Sequence, residues 1–168
     1  MDREVWQRNL AAQAAACGVV IHEGVRVSPA RLQEMQTSFD WIIDASGAPS
    51  VTSRLYGFTR EYRQQGMLAY QEVLRVDFSA LFPRIKAGFL REMPREVLPG
   101  YYWIFPRHAA AANVGVGCCL GADGVSTIDL KALLKDVLKR EGLEGMAVLR
   151  KGGGLIPARV LPRLRYGQ

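Results

Sequence analysis

The chain has 168 residues, 49% of them hydrophobic and 23% charged, enough for one globular domain with a sizeable core. No apolar run approaches the ~20 residues of a membrane span, and the start Met1-Asp2-Arg3-Glu4 has neither the basic opening nor the apolar stretch of a secretory signal, so a cytoplasmic location is expected. Part of the formal net charge of +6 comes from Arg150, Lys151, Arg159, Arg163 and Arg165, interspersed with Gly and Pro and without a recognition-helix signature; a solvated basic face, an anionic small molecule or a membrane surface is expected, and no nucleic acid.

The opening DREVWQRNLAAQAAACG reads as a helix, with Asp2 as cap, Glu4 in the first turn and Gly18 as the stop. Its apolar stripe is Val5, Trp6, Leu10, Ala14 and Cys17. VVIHEG, beginning at Val19, reads as a short strand, and Ser28-Pro29 marks a turn before short, partly exposed structure. FDWIIDASG reads as a buried strand ending in a turn of small residues, so residues 1–60 are expected to form part of a parallel α/β layer.

From Met67 the character changes. MLAYQEVLRVDF, IKAGFLREM, YYWIFP and ANVGVGCC follow one another without a long helix between them, which predicts an antiparallel-sheet lobe over residues 61–126. The aromatic strand is expected to break at Pro106. Residues 127–168 then hold an amphipathic helix opened by Thr127 and ended by Gly142, and a return strand with a glycine hinge from Gly152 to Gly154. The fold class is α/β, mixed α+β. Three cysteines, with Cys118 and Cys119 adjacent and Cys17 distant, match neither a disulfide framework nor a zinc spacing and read as reduced core thiols.

Several stretches carry candidate chemistry. Period-2 alternation puts Tyr101, Trp103 and Phe105 on one strand face and Tyr102 and Ile104 on the other. Such a face lines a pocket for a long apolar ligand or packs into a core. Gly115 and Gly117 share a face of their strand, where missing side chains leave room for a ligand or permit tight sheet packing. Arg3, a cation at a helix start, is better explained by a ligand or an acidic partner than by the helix dipole. Asp44-Ala45-Ser46-Gly47 allows close approach of a phosphate or ribose with Asp44 as acceptor; the competing reading is a local helix cap built on Ser50.

The order of four stretches, DREVWQRNLAAQAAACG, FDWIIDASGAPSVTSRLYG, YYWIFPRHAAAANVGVG and KGGGLIPAR, resembles the middle section of the flavin-dependent geranylgeranyl reductases, within the para-hydroxybenzoate hydroxylase-like flavoproteins. The third stretch matches the family's Tyr-x-Trp-x-Phe-Pro substrate motif and is the specific one. The resemblance implies FAD as cofactor, a partial FAD/NAD(P)-binding Rossmann-like layer, and flavin contacts at Arg3, Asp44, Ala45 and Gly47. It implies an isoprenoid or prenyl lipid as substrate, held by Tyr101, Trp103, Phe105, Pro106, Gly115 and Gly117, and places the family's activity in lipid biosynthesis: hydride transfer from reduced flavin to an alkene. The family often has a basic residue where Arg107 and His108 stand.

The sequence contains no G-x-G-x-x-G turn and no Gly-Asp motif after the Ile-Pro segment, so the expectation is a fragment of an oxidoreductase, inactive alone, with flavin binding weakened or lost. A homo-oligomer or a complementing chain, and contact with a membrane surface, accompany that expectation. The alternative is a non-catalytic module that binds lipid or a partner through the same aromatic face.

Overall fold

In a computed structural model of the chain, residues 3–64, 66–77, 84–90, 100–121, 124 and 128–157 are described. The alternating stretches form a single antiparallel sheet of strands β1 (Met67–Arg75), β2 (Lys86–Phe89), β3 (Gly100–His108), β4 (Ala111–Cys119) and β5 (Val148–Ile156), in the order β2-β3-β4-β1-β5. Helices α1 (Arg3–Ala16), α2 (Pro29–Met35) and α3 (Val51–Leu55) and a 3-10 turn (Thr59–Tyr62) precede the sheet, and α4 (Leu130–Arg140) lies between β4 and β5 in sequence. The class is mixed α/β, as expected.

Register allots the side chains. Pairing of Ala69 with Gly117, Gln71 with Gly115, Trp103 with Gly115 and Tyr101 with Gly117 gathers the aromatic ladder and both glycines on one face. Leu74, Tyr102, Ile104, Val114, Val116 and Cys118 fall on the other, and α4 covers them with Leu133, Leu134 and Val137, all almost fully buried. Each such aliphatic burial stabilises by about 1.5–3 kcal/mol, which is why α4 holds its place although a helix this short is marginal alone. Asp129 caps it, its carboxylate accepting from the backbone N–H groups of Lys131 and Ala132 at 2.9 and 3.1 Å.

At its far end α4 is tied to the sheet by charge. The Glu141 carboxylate, just past the helix, accepts hydrogen bonds from Lys86 Nζ on β2 and from the Tyr102 hydroxyl on β3, the latter at 2.9 Å. The Arg140 guanidinium stands 5.8 Å from the Tyr102 ring centre. Burial pushes the Glu141 carboxyl up, but the hydrogen bonds from Lys86 and Tyr102 outweigh it and hold the group below its ordinary value of 4.5.

Several expectations are corrected. Residues 19–24 and 39–47 form no strand, and no parallel layer is present among the described residues. Trp41 and Ile43 are 74% and 91% exposed. A strand exists only through a neighbour's hydrogen bonds, and no described segment runs alongside these two. The aromatic strand does not break at Pro106 but continues to His108, with the register shift between Pro106 and His108 absorbing the missing N–H. Gly152 to Gly154 are not a hinge: they pair with Gln71, Tyr70 and Ala69 inside β5. Asp2, Thr127, Arg159, Arg163, Arg165 and the end of IKAGFLREM lie outside the described residues.

The sheet makes two predictions. A Cβ built on Gly115 would collide with the six-membered ring of Trp103, whereas one on Gly117 meets its nearest neighbours, Met67 Cε and Trp103, at 3.4 and 3.7 Å, ordinary contact distances. Gly115→Ala should therefore destabilise the fold by about 1–3 kcal/mol in urea unfolding, and Gly117→Ala should be near neutral. Glu141 titrates lower folded than unfolded, so its contribution is present above the unfolded value and is lost as pH falls through the folded one. Glu141→Gln should cost about 1 kcal/mol at pH 7, and the gap to the unaltered protein should close on acidification below pH ~4.5.

Candidate functional site

Tyr101, Trp103 and Phe105 stand side by side on the sheet face opposite α4, with ring centres 5.6 Å apart for the first pair and 6.0 Å for the second. They are not equivalent. Trp103 is buried (6% exposed), laid across the bare backbone of Gly115, while Tyr101 and Phe105 are 37% and 40% exposed. Gly115 thus serves the protein's own indole; the space over Gly117 is freer. The packing reading of the aromatic face holds for Trp103, while Tyr101 and Phe105 keep part of their rings exposed.

The Trp103 indole is fixed by a polar chain across three strands. Its Nε1–H donates to Asn113 Oδ1 at 2.7 Å, and Asn113 Nδ2 donates to Gln71 Oε1 at 3.0 Å. Beyond Gln71 opens a cleft of about 530 Å³, lined on the sheet by Gln71, Phe105, Asn113 and Gly152 and closed from α1 by Arg3 and Glu4. Arg107 and Arg150 add positive charge to its walls, whereas the Lys151 ammonium is turned to Glu72 on the α4 side of the sheet. Arg150 Nη1 pairs with Glu4 Oε1 at 2.5 Å, the contact that links α1 to β5, and Lys151 Nζ lies 3.3 Å from Glu72 Oε1. The arrangement suits a ligand with an apolar body beside Phe105 and an anionic end among the cations.

The structure brings together some of the residues picked from sequence and separates others. Arg3, Phe105 and Pro106 line the cleft, and Tyr101, Trp103, Gly115 and Gly117 continue its sheet face. Asp44, Ala45 and Gly47 are not part of it. His108, at the exposed end of β3, accepts from the Ala110 N–H at 3.2 Å within the hairpin turn. Gln71 and Asn113 were missed: nothing local marks them, and only the pairing of β1 with β4 and β5 carries them to the site, beside Arg150 of the basic group read from sequence. Cys118 is buried on the α4 face, where burial and then the neighbouring Cys119 push its thiol up to about 11, so it is not a nucleophile near neutral pH. Among the described residues no three His, Cys, Asp or Glu side chains group as a metal site, and no helix is long and apolar enough to cross a membrane.

FAD, the implied cofactor, does not fit these residues as a site. Asp44 Oδ1 already accepts from Ser46 N–H at 2.9 Å and Oδ2 from Thr52 N–H at 2.6 Å, which closes the turn onto α3 together with Ser50, whose hydroxyl accepts from Ser53 N–H at 3.0 Å. The carboxylate is committed to holding this turn, and Arg3 lines the cleft, of which Asp44 is no part, so the two do not gather about one flavin. Burial raises the Asp44 carboxyl, yet the hydrogen bonds from Ser46 and Thr52 win and hold it well below the usual carboxylate range. Asp44→Ala should accordingly cost about 1 kcal/mol of stability at pH 7, a difference that shrinks progressively once pH falls below the ordinary 3.8 and is gone when pH has passed the depressed folded value; thermal melts across pH check it.

Neither a protein-family model nor a curated protein matches this sequence. Solved structures do match, among them that of a geranylgeranyl bacteriochlorophyll reductase-like protein from Thermoplasma acidophilum, at 22% identity and a TM-score of 0.40. The match covers 56% of this chain and 23% of that one, so the chain spans about a quarter of that protein's length.

Proposed function

We propose that this chain is the ligand-holding lobe of a flavin-dependent oxidoreductase acting on isoprenoid double bonds, and that a prenyl chain lies along Tyr101, Trp103 and Phe105. One observation carries the reading: the aromatic ladder faces away from the α4 core, anchored by Trp103 and flanked by two half-exposed rings that end in a cationic cleft. An extended apolar chain with a charged terminus matches that sequence of surfaces. The Tyr-x-Trp-x-Phe-Pro motif supports the family, whose flavin supplies hydride to the alkene. In this lobe the protein's own contribution is to bind the chain, orient it across the rings and exclude water from it. A cytoplasmic location at a membrane surface, with a second copy or a complementing chain, accompanies the proposal and fits the exposed Val19, Val20, Phe39, Trp41 and Ile43.

A second reading has its own observation. Because Arg3 lines the cleft while Asp44, Ala45 and Gly47 stand apart from it, the lobe also fits a lipid-binding module that does no chemistry.

The test uses the chain's three tryptophans. In a Trp6→Phe, Trp41→Phe background only Trp103 emits, and titration with geranylgeraniol should change its emission saturably. Tyr101→Ala and Phe105→Ala should each weaken binding about tenfold, the worth of one lost aromatic contact of roughly 1.5 kcal/mol. Absence of a saturable change, or affinity indifferent to both substitutions, sinks the prenyl reading. Saturable FAD binding in a parallel titration would favour the oxidoreductase lobe; prenyl binding without it would favour the lipid module.

A further inference from the structure

Every hydrogen of the polar chain beneath the cleft has a direction, and the direction is set at one end. An indole Nε1 only donates, so the Asn113 atom that meets it must be the carbonyl oxygen. The Asn113 amide nitrogen is then turned toward β1, where it must find an acceptor, and it meets Gln71 Oε1. That leaves the Gln71 amide nitrogen at the far end of the chain, next to Gly152, where even a Cβ would stand 3.7 Å away. Both Gln71 and Gly152 line the cleft. The bare glycine keeps the amide uncovered.

We infer that Gln71 is a specificity-determining residue of this cleft, its N–H groups aimed by the Trp103–Asn113–Gln71 chain at the polar end of the ligand, and that it selects an end that only accepts hydrogen bonds, a phosphate ester over the alcohol of the same chain. The other polar groups on the walls agree in sense. Arg3, Arg107 and Arg150 are donors without acceptor capacity, the one carboxylate among them, Glu4, is engaged with Arg150, and Gln7 brings an amide that can both donate and accept. Donors outnumber acceptors on these walls, so a phosphate with three oxygens is better matched than an alcohol, which also brings a hydroxyl proton. Trp103 has two parts in this: its ring packs beneath the prenyl chain and its N–H, 10 residues from Asn113 in sequence, fixes the sense of an amide that it does not touch. The inference deepens the prenyl-ligand reading and rests on it for the apolar half of the ligand only.

Calorimetric titration of the chain with geranylgeranyl monophosphate, geranylgeraniol and inorganic phosphate tests it, with circular dichroism to show that each variant is folded. The unaltered chain should prefer the phosphate ester to the alcohol by tenfold or more. Gln71→Leu should remove most of that preference. Trp103→Phe keeps a ring over Gly115 but deletes the N–H, so Asn113 is free to turn over and the preference should fall severalfold, an effect that a purely packing role for Trp103 would not produce. Inorganic phosphate distinguishes a headgroup site from a lipid site: if it binds with the same Gln71 dependence while neither prenyl compound binds, the inference stands and the isoprenoid reading falls. If the alcohol binds as tightly as the ester, the isoprenoid reading stands and the inference falls. A preference unchanged in both variants, or no binding by either phosphate-bearing probe, also overturns it.

Discussion

Pairing of β4 with β1 on one side and β3 on the other divides the side chains of the sheet between two faces, and a slip of a single residue would exchange them. In the observed register Val114, Val116 and Cys118 meet α4, while Asn113, Gly115 and Gly117 lie under the aromatic ladder. Shifted by one, the valines would face the cleft and the glycines would leave holes in the core. The hydrophobic demand of one face therefore fixes the chemistry of the other. The core beneath α4 specifies, at a distance, which backbone is left bare for the Trp103 ring.

Much of this could be read from the chain itself. Tyr101 to Phe105 and Val114 to Gly117 alternate so regularly that strand and face follow from period alone, and the leucines of α4 recur at helical spacing, although its cap is Asp129 and not the Thr127 from which the sequence reading opened it. Other stretches carried the same kinds of signal and meant something else. FDWII has the composition of a buried strand, but composition cannot supply the neighbour whose carbonyls complete it, and Ile43 stands in the open. Three successive glycines looked like a hinge because glycine is free to bend; opposite Ala69 to Gln71 they are simply strand. The polar chain from Trp103 to Gln71 was illegible for a different reason. Its members come from three strands, 42 positions separate Asn113 from Gln71, and only register makes them neighbours.

The two faces also differ in how their polar groups are held. On the α4 side Glu141 is met by a cation and a hydroxyl at once, and Tyr70 donates to Glu72 at 3.0 Å, so buried carboxylates there are satisfied from within. On the cleft side the polar chain ends at an uncovered amide beside Gly152. A surface whose hydrogen bonding is completed internally is scaffold; one that stops a partner short is where a ligand has something to add. That asymmetry, more than the count of aromatic rings, distinguishes the two sides of the sheet.

The tie at Glu141 reaches further than its three residues. β2 is four residues long and, among the described residues, paired along one edge only, the kind of strand that ordinarily frays ahead of the rest. Lys86 belongs to it, however, and grips a carboxylate that ends α4, 55 positions away. Opening the outermost strand thus means releasing the end of the helix that roofs the core. The margin of the sheet and the helix over its buried layer are tied at this point, so fraying of the rim that borders the aromatic ladder gives up the Lys86–Glu141 contact as well as the strand's own hydrogen bonds.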